Sequence, residues 1–276
     1  MILGLSSPLS HNNADEWGQK HAELGCKALV FPLNCNNSDE EIDAYVKAAK
    51  SNNLTIAEVG VWKNVLAADE KERQEAVNYS IGQLKLADKI NAKCCVNIVG
   101  TPYGPRWDGG YAGNLTEEAW KMAVDSIQYI IDEAKPVNTK FTIETMPWMI
   151  PSSPDEYLRL IEEVNRPEFG VHLDIVNMIN CPERYFFNEK FMEDTFDKLG
   201  DKILSCHIKD VNLLEGYTFQ LKESACGDGH LSLEKYAELA NRYNPEMPMI
   251  IEHLNTDEEY LASLSYVKDR LKEYLR

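Results

Sequence analysis

Short apolar runs alternate with longer stretches of helical periodicity along the whole chain. Residues 2–6, 27–31, 54–59 and 93–99 are brief, mostly apolar runs of the length of a buried strand. Between them, apolar positions recur at helical spacing over residues 14–24, 38–51 and 69–90. Ser38 followed by Glu41 marks a capping-box start for the second of these helices.

The second half repeats the theme. The pattern predicts a helix over 117–134, a strand ending near Glu144, a helix, and a strand ending at Asp174. The helix between those strands opens with Ser153 as N-cap, Pro154 at the first helical position and Glu156 placed for the reciprocal capping bond. A helix near 189–199, a strand over 203–208, a helix over 231–244 and a strand over 249–252 follow, and Thr256 with Glu259 caps the closing helix. Two connections are long enough to carry function: 100–114, rich in glycine and aromatic residues, and 175–187. Eight strands alternating with eight helices predict an α/β chain folded as a (β/α)8 TIM barrel. No Gly/Ser-rich or Pro-rich linker interrupts the pattern, so a single domain over residues 1–276 is expected.

Charge narrows the partners. A formal net charge of -17 repels phosphate backbones and anionic membranes, so neither nucleic acid nor a membrane is an expected partner. No stretch is apolar over the eighteen or so residues that a membrane span needs. The first residues lack the basic and apolar regions of a secretion signal, and the seven cysteines, an odd number without a CxxC pair, fit a reducing compartment. A cytoplasmic location is expected. Cys94 and Cys95 fit a core strand.

In a barrel of this kind the carboxyl ends of the strands converge on one mouth. Four consecutive strands carry a polar group near that end: Glu144, Asp174, His207 and Glu252. Three carboxylates gathered there repel one another unless a cation stands among them, and an oxygen-rich set with one imidazole suits Mn²⁺, Mg²⁺ or Co²⁺ better than a thiolate-bound zinc. Period-two alternation adds His172 on the face of Asp174, Lys209 on the face of His207, and Glu58 on the third strand. His172 either contacts substrate or orients Asp174. Lys209 either polarises a carbonyl or pairs with Glu252 or Asp210. His253, next to Glu252, is expected to point away from the mouth. Trp107, Tyr103, Tyr111 and Trp148 are candidates to wall a sugar with their rings.

With these residues assembled, the chain resembles the xylose-isomerase-like TIM-barrel superfamily, and within it the group of D-tagatose 3-epimerase and sugar phosphate isomerase/epimerase proteins. The carriers are Ile143-Glu144-Thr145-Met146-Pro147, His172-Leu173-Asp174, Cys206-His207-Ile208-Lys209-Asp210, Gly227-Asp228-Gly229 and Ile251-Glu252. The resemblance implies one divalent ion, Mn²⁺ foremost, on Glu144, Asp174, His207 and Glu252, with Glu144 and Glu252 also moving protons around a metal-stabilised enediolate. It implies a small sugar, keto sugar or sugar phosphate as substrate and a homo-oligomer. His172, Lys209, Asn177, Glu58 and Trp107 are the expected substrate contacts.

Three positions depart from the ketose 3-epimerases of that group. Asn177 stands where they carry a histidine, Leu213 where they carry an arginine, and Ile150 where they carry a second glutamate. The same metal shell serves a keto-sugar lyase, a dehydratase or a deglycosidase, and a non-catalytic sugar-binding or assembly subunit would keep the barrel without the chemistry.

Overall fold

The apolar runs assemble into one parallel sheet. The computed structural model describes residues 1–276, and its eight-stranded sheet has β1 (Ile2–Leu5), β2 (Ala28–Val30), β3 (Thr55–Gly60), β4 (Cys94–Asn97), β5 (Lys140–Glu144), β6 (Phe169–Asp174), β7 (Ile203–Ile208) and, after a hairpin described below, β10 (Pro248–Ile251). The order is β1-β10-β7-β6-β5-β4-β3-β2, so the chain runs round the sheet in sequence and β1 meets β2 at the closing seam. There Lys27 N–H donates to Leu3 O at 2.9 Å. Gly4 permits the approach, since a Cβ on it would sit 2.4 Å from Ala28 O.

Strands covered on both faces read as continuous apolar runs rather than as alternation. β4 and β10 are buried at every position. The helices form the outer layer: α1 (Ala14–Glu23), α2 (Asp39–Ser51), α3 (Glu70–Lys89), α4 (Glu117–Ala134) and α5 (Pro154–Val164), then α6 (Ile175–Met178) and α7 (Pro182–Phe186) within the connection after β6, then α8 (Asn188–Leu199), α9 (Leu233–Tyr243) and α10 (Asp257–Arg270). Each long one buries a stripe; α5 buries Tyr157, Leu160 and Val164 at spacings of three and four. None is long and apolar enough to cross a membrane.

The predicted capping boxes divide by the backbone of the N-cap residue. Ser38, at φ -65°, forms the full reciprocal box with Glu41. Ser153, at φ -154°, accepts from Glu156 N–H, but the Glu156 carboxylate takes the N–H of Ser152 instead of that of Ser153. The same one-residue displacement occurs at Thr256, φ -133°, where Glu259 holds Asn255 N–H, and at Asn13, φ -160°, where Glu16 holds Asn12 N–H. The three displaced boxes share an N-cap φ beyond -130°, against -65° at Ser38.

The sequence pattern assigns no element to residues 210–230. They contain a hairpin, β8 (Asp210–Leu213) and β9 (Leu221–Ser224), antiparallel with Val211 opposite Glu223. Only Lys209 separates it from β7, so the strand that carries His207 runs straight out of the barrel into the hairpin.

Asp210 locks the base of this excursion. Its carboxylate accepts from Val211 N–H at 2.8 Å, Leu231 N–H at 2.8 Å and Gly227 N–H at 3.1 Å. A side chain on Gly229 would collide with Asp210 Oδ1, at 2.1 Å from an added Cβ. The Lys209-Asp210 and Gly227-Asp228-Gly229 motifs are thus two halves of one structural joint.

Candidate metal centre

Glu144 and Asp174 end β5 and β6, His207 is next to last in β7, and Glu252 directly follows β10. Across β6 and β7, Asp174 is in register with His207, and Glu144 with His172 across β5 and β6. Two helix tyrosines hold these strand ends from behind. Tyr157 OH donates to Ile143 O at 2.6 Å and accepts from His172 N–H, while Tyr236 OH lies 3.1 Å from His207 O and 3.3 Å from Leu173 O.

The four groups converge. One donor atom from each of Glu144, Asp174, His207 and Glu252 lies within 4.8 Å of every other, and all four residues are buried. His207 Nδ1 is the hub, 2.8 Å from Glu252 Oε2, 3.4 Å from Glu144 Oε1 and 3.9 Å from Asp174 Oδ2. Neither His207 Nδ1 nor Asp174 Oδ2 makes a hydrogen bond of acceptable geometry, although both are buried. Each has a charged neighbour, Glu252 for His207 and Lys209 for Asp174, and the convergence of four such donors on one point is what a cation site requires. One imidazole and three carboxylates fit a divalent ion of the manganese or magnesium kind.

Charge inside the cluster is strongly perturbed. Burial alone would lower the His207 pKa, but Glu252, Glu144 and Glu58 outweigh it and hold it well above the ordinary imidazole value. Burial, aided by the Glu252 and Asp174 charges and offset in part by His207, pushes the Glu144 carboxyl up to about 7. For Glu252, burial alone would raise the pKa, yet His207 and Lys209 outweigh it and leave it below its ordinary value.

Lys209 sits within this network. Its Nζ lies 2.7 Å from Asp174 Oδ2, donates to Glu252 Oε1 at 2.8 Å and pairs with Glu223 Oε1 at 2.9 Å. Of the two partners expected for it, Glu252 is the one it takes; Asp210 is engaged with backbone. Asn177 is buried and donates to Glu144 Oε1 at 3.0 Å.

Glu58 and His172 are both fully buried. Glu58 accepts a hydrogen bond from Ser205 Oγ and lies 3.4 Å from His207 Nε2 and 3.7 Å from His172 Nδ1. The His172 ring meets His207 edge to face at 4.2 Å, and burial, aided by the His207 charge, lowers its pKa to about 4. Strand alternation marks a side chain as inward-facing without giving its depth in the barrel.

Trp107, partly buried, packs against the core and lines neither cavity beside the cluster. The rings of Tyr103 and Tyr111 fill space over Gly113 and Gly104 within their own loop. Trp148 does stand at the mouth.

Two site residues escaped the sequence. His253, expected to face the helices, takes a φ of 57° after the strand ends, which breaks the alternation and brings Nδ1 to 2.9 Å from Glu223 Oε2. Glu223 itself arrives on the hairpin. The alternation of Val211 and Leu213, with Gly216 and then Leu221 beyond, was the available signal.

An eight-stranded parallel barrel with an acid–histidine cluster able to hold a metal at the carboxyl ends of its strands defines the class. The chain belongs to the xylose isomerase-like TIM barrel family, whose model matches residues 14–270. Solved structures similar to it include D-psicose 3-epimerase with D-tagatose from Clostridium cellulolyticum, at TM-score 0.72 and 14% identity over 99% of each chain. The probable 3-DHS dehydratase AsbF of Bacillus anthracis aligns at TM-score 0.74 and 13% identity, over 98% of this chain and 100% of its own. A xylose isomerase-like TIM barrel protein from Mycobacterium smegmatis in complex with magnesium aligns at TM-score 0.70 and 15% identity, over 100% of this chain and 97% of its own. No curated protein sequence matches.

Proposed function

We propose that the chain is a divalent-metal-dependent isomerase or epimerase of a sugar or keto sugar, with Glu144, Asp174, His207 and Glu252 as metal ligands. The observation that carries this is the convergence of those four buried donors at the barrel mouth. When bound, a divalent ion supplies Lewis acidity to neighbouring carbonyl and hydroxyl oxygens of a sugar and so acidifies the C–H bond between them.

The residues supply the proton chemistry. Glu144 and Glu252, the two glutamates of the cluster, are the carboxylates that take a proton from the sugar and return it. Return to the same carbon inverts it; return to the adjacent carbon isomerises the sugar. Asn177 orients Glu144 through its 3.0 Å hydrogen bond, and Lys209 fixes Asp174 and Glu252.

The test is solvent deuterium incorporation into ketoses and 3-keto glycosides, run with manganese-loaded and with chelated protein. Metal-dependent deuterium in recovered or isomerised sugar supports the proposal. Metal-dependent loss of water or of an aglycone without exchange moves the assignment to elimination, and no metal dependence on any substrate refutes the proposal.

A further inference from the structure

Beside the cluster, the hairpin divides the mouth into two cavities that share Glu223. One, of about 550 Å³, is polar and reaches Lys209, Glu252 and His253. The other, of about 380 Å³, is walled by Trp148, Val176, Ile179, Val211, Phe219 and Leu221. That volume falls within the ~300–1,000 Å³ of ordinary small-molecule pockets.

The second cavity lies beside the candidate metal centre, with none of the four candidate ligands in its wall. Its remaining wall includes Asn177, which holds Glu144, and Glu223, which holds Lys209. A group seated against Trp148 and Phe219 is therefore one side chain removed from Glu144 and Lys209, across Asn177 and Glu223.

Trp148 is both exposed and fixed. Its side chain is 42% exposed, yet Nε1 donates to Asp108 O at 2.9 Å and its carbonyl accepts from Asn114 Nδ2 at 3.1 Å. An added Cβ on Gly110 would come within 3.0 Å of the indole, so glycine there lets the 100–114 loop lie flat against the ring. A large apolar ring kept at the surface and held in one orientation is a preformed binding wall.

The cavity offers no partner for an anion. No Lys, Arg or His lines it, and its one carboxylate, Glu223, already faces Lys209 and His253. Phosphate groups are bound by cationic side chains or free backbone N–H groups, and Lys209 in the neighbouring cavity is already surrounded by Asp174, Glu252 and Glu223.

Resting on the function proposed above, we infer that the apolar cavity holds a flat, uncharged substituent of the sugar, so that the substrate is a neutral glycoside with an aryl or similar apolar group. A free ketose leaves the Trp148 and Phe219 walls bare, and a phosphate seated in this cavity meets no cationic side chain.

The probes are 4-nitrophenyl β-D-glucopyranoside, methyl β-D-glucopyranoside and glucose 6-phosphate, titrated calorimetrically into the manganese-loaded protein. The aryl glycoside is expected to bind about tenfold or more tighter than the methyl glycoside, the gain from burying one ring. Trp148→Ala and Phe219→Ala should each shrink that preference, and Trp148→Phe should keep most of it. Glucose 6-phosphate should bind no tighter than the methyl glycoside. Equal binding of aryl and methyl glycosides, no binding of either, or a preference untouched by both alanine variants overturns the inference. Deuterium exchange tests the metal chemistry separately, so an aryl preference without exchange sinks only the proposed function, and exchange without the preference sinks only the cavity assignment.

Discussion

Glu58 Oε2 lies 3.4 Å from Nε2 of His207, on the opposite side of the imidazole from the carboxylate cluster. With Nε2–H directed at a carboxylate, Nδ1 is left as the metal-facing nitrogen, the carboxylate–histidine arrangement that fixes tautomer and ring orientation. Glu58→Gln should therefore weaken manganese binding by about 10–100-fold while the barrel still folds. Calorimetric titration of metal gives the affinity, and far-ultraviolet circular dichroism checks the fold. Unchanged affinity would remove the orienting role.

The same residue sets a pH dependence. Burial alone would raise the Glu58 pKa, but His172 and His207 outweigh it and hold it at about 2 against an ordinary 4.5. A depressed carboxyl contributes stability above the unfolded value and loses it as pH falls through the folded one. The stability difference between wild type and Glu58→Gln should thus be full at neutral pH and shrink below pH 4.5 toward about 2. Urea unfolding of metal-free protein at pH 7 and pH 4 measures it; a difference that grows on acidification contradicts the assignment.

Glu144→Gln and Glu252→Gln should each reduce turnover by about 10²–10⁴-fold, the usual contribution of a positioned acid or base. Both are buried and Glu252 also pairs with Lys209 and His207, so rates are compared on variants that far-ultraviolet circular dichroism shows to be folded. Exchange of deuterium into substrate is the direct readout. Wild-type rates in both variants would exclude proton transfer by these groups.

Lys209 is the cation present among the carboxylates before any metal arrives. Removing one partner of a buried charge network typically costs about 3–5 kcal/mol, so Lys209→Met should destabilise the metal-free protein strongly. It should also remove a repelling charge from a divalent ion, so manganese should raise the melting temperature of the variant by more than that of wild type. Thermal melts with and without metal decide this, and a smaller metal-induced rise in the variant would contradict it.

Asp210 is predicted to be structural. Asp210→Ala leaves three backbone N–H groups without their acceptor, a loss of about 2–5 kcal/mol at the usual cost of unsatisfied buried donors. Hydrogen exchange should accelerate first at Gly227 and Leu231. Uniform exchange with an unaltered melting temperature would show that the joint carries no stability.

The barrel was legible because strands buried on both faces leave apolar runs that helix caps punctuate at regular intervals. The cluster of Glu144, Asp174, His207 and Glu252 was legible for a related reason: parallel strands bring their carboxyl ends together whatever the sequence separation. Depth and direction were not legible. Glu58 and His172 point inward as alternation implies and are fully buried, which alternation alone does not give, and His253 abandons alternation once β10 has ended. Glu223 could be placed only by recognising the hairpin, whose short arms and polar outer face carry little apolar signal.

The hairpin grows directly from the strand that bears His207, and its tip is free: Tyr217 is fully exposed, at 110% of the reference accessibility. Its stem is anchored by Asp210, and Phe219 turns back toward the Tyr185 ring and the apolar cavity while the tip around Tyr217 stands clear. Segments of different length or composition could be spliced in at that tip without disturbing the metal ligands. Selectivity in such a molecule becomes an interchangeable part, free to diversify while the barrel beneath it stays constant.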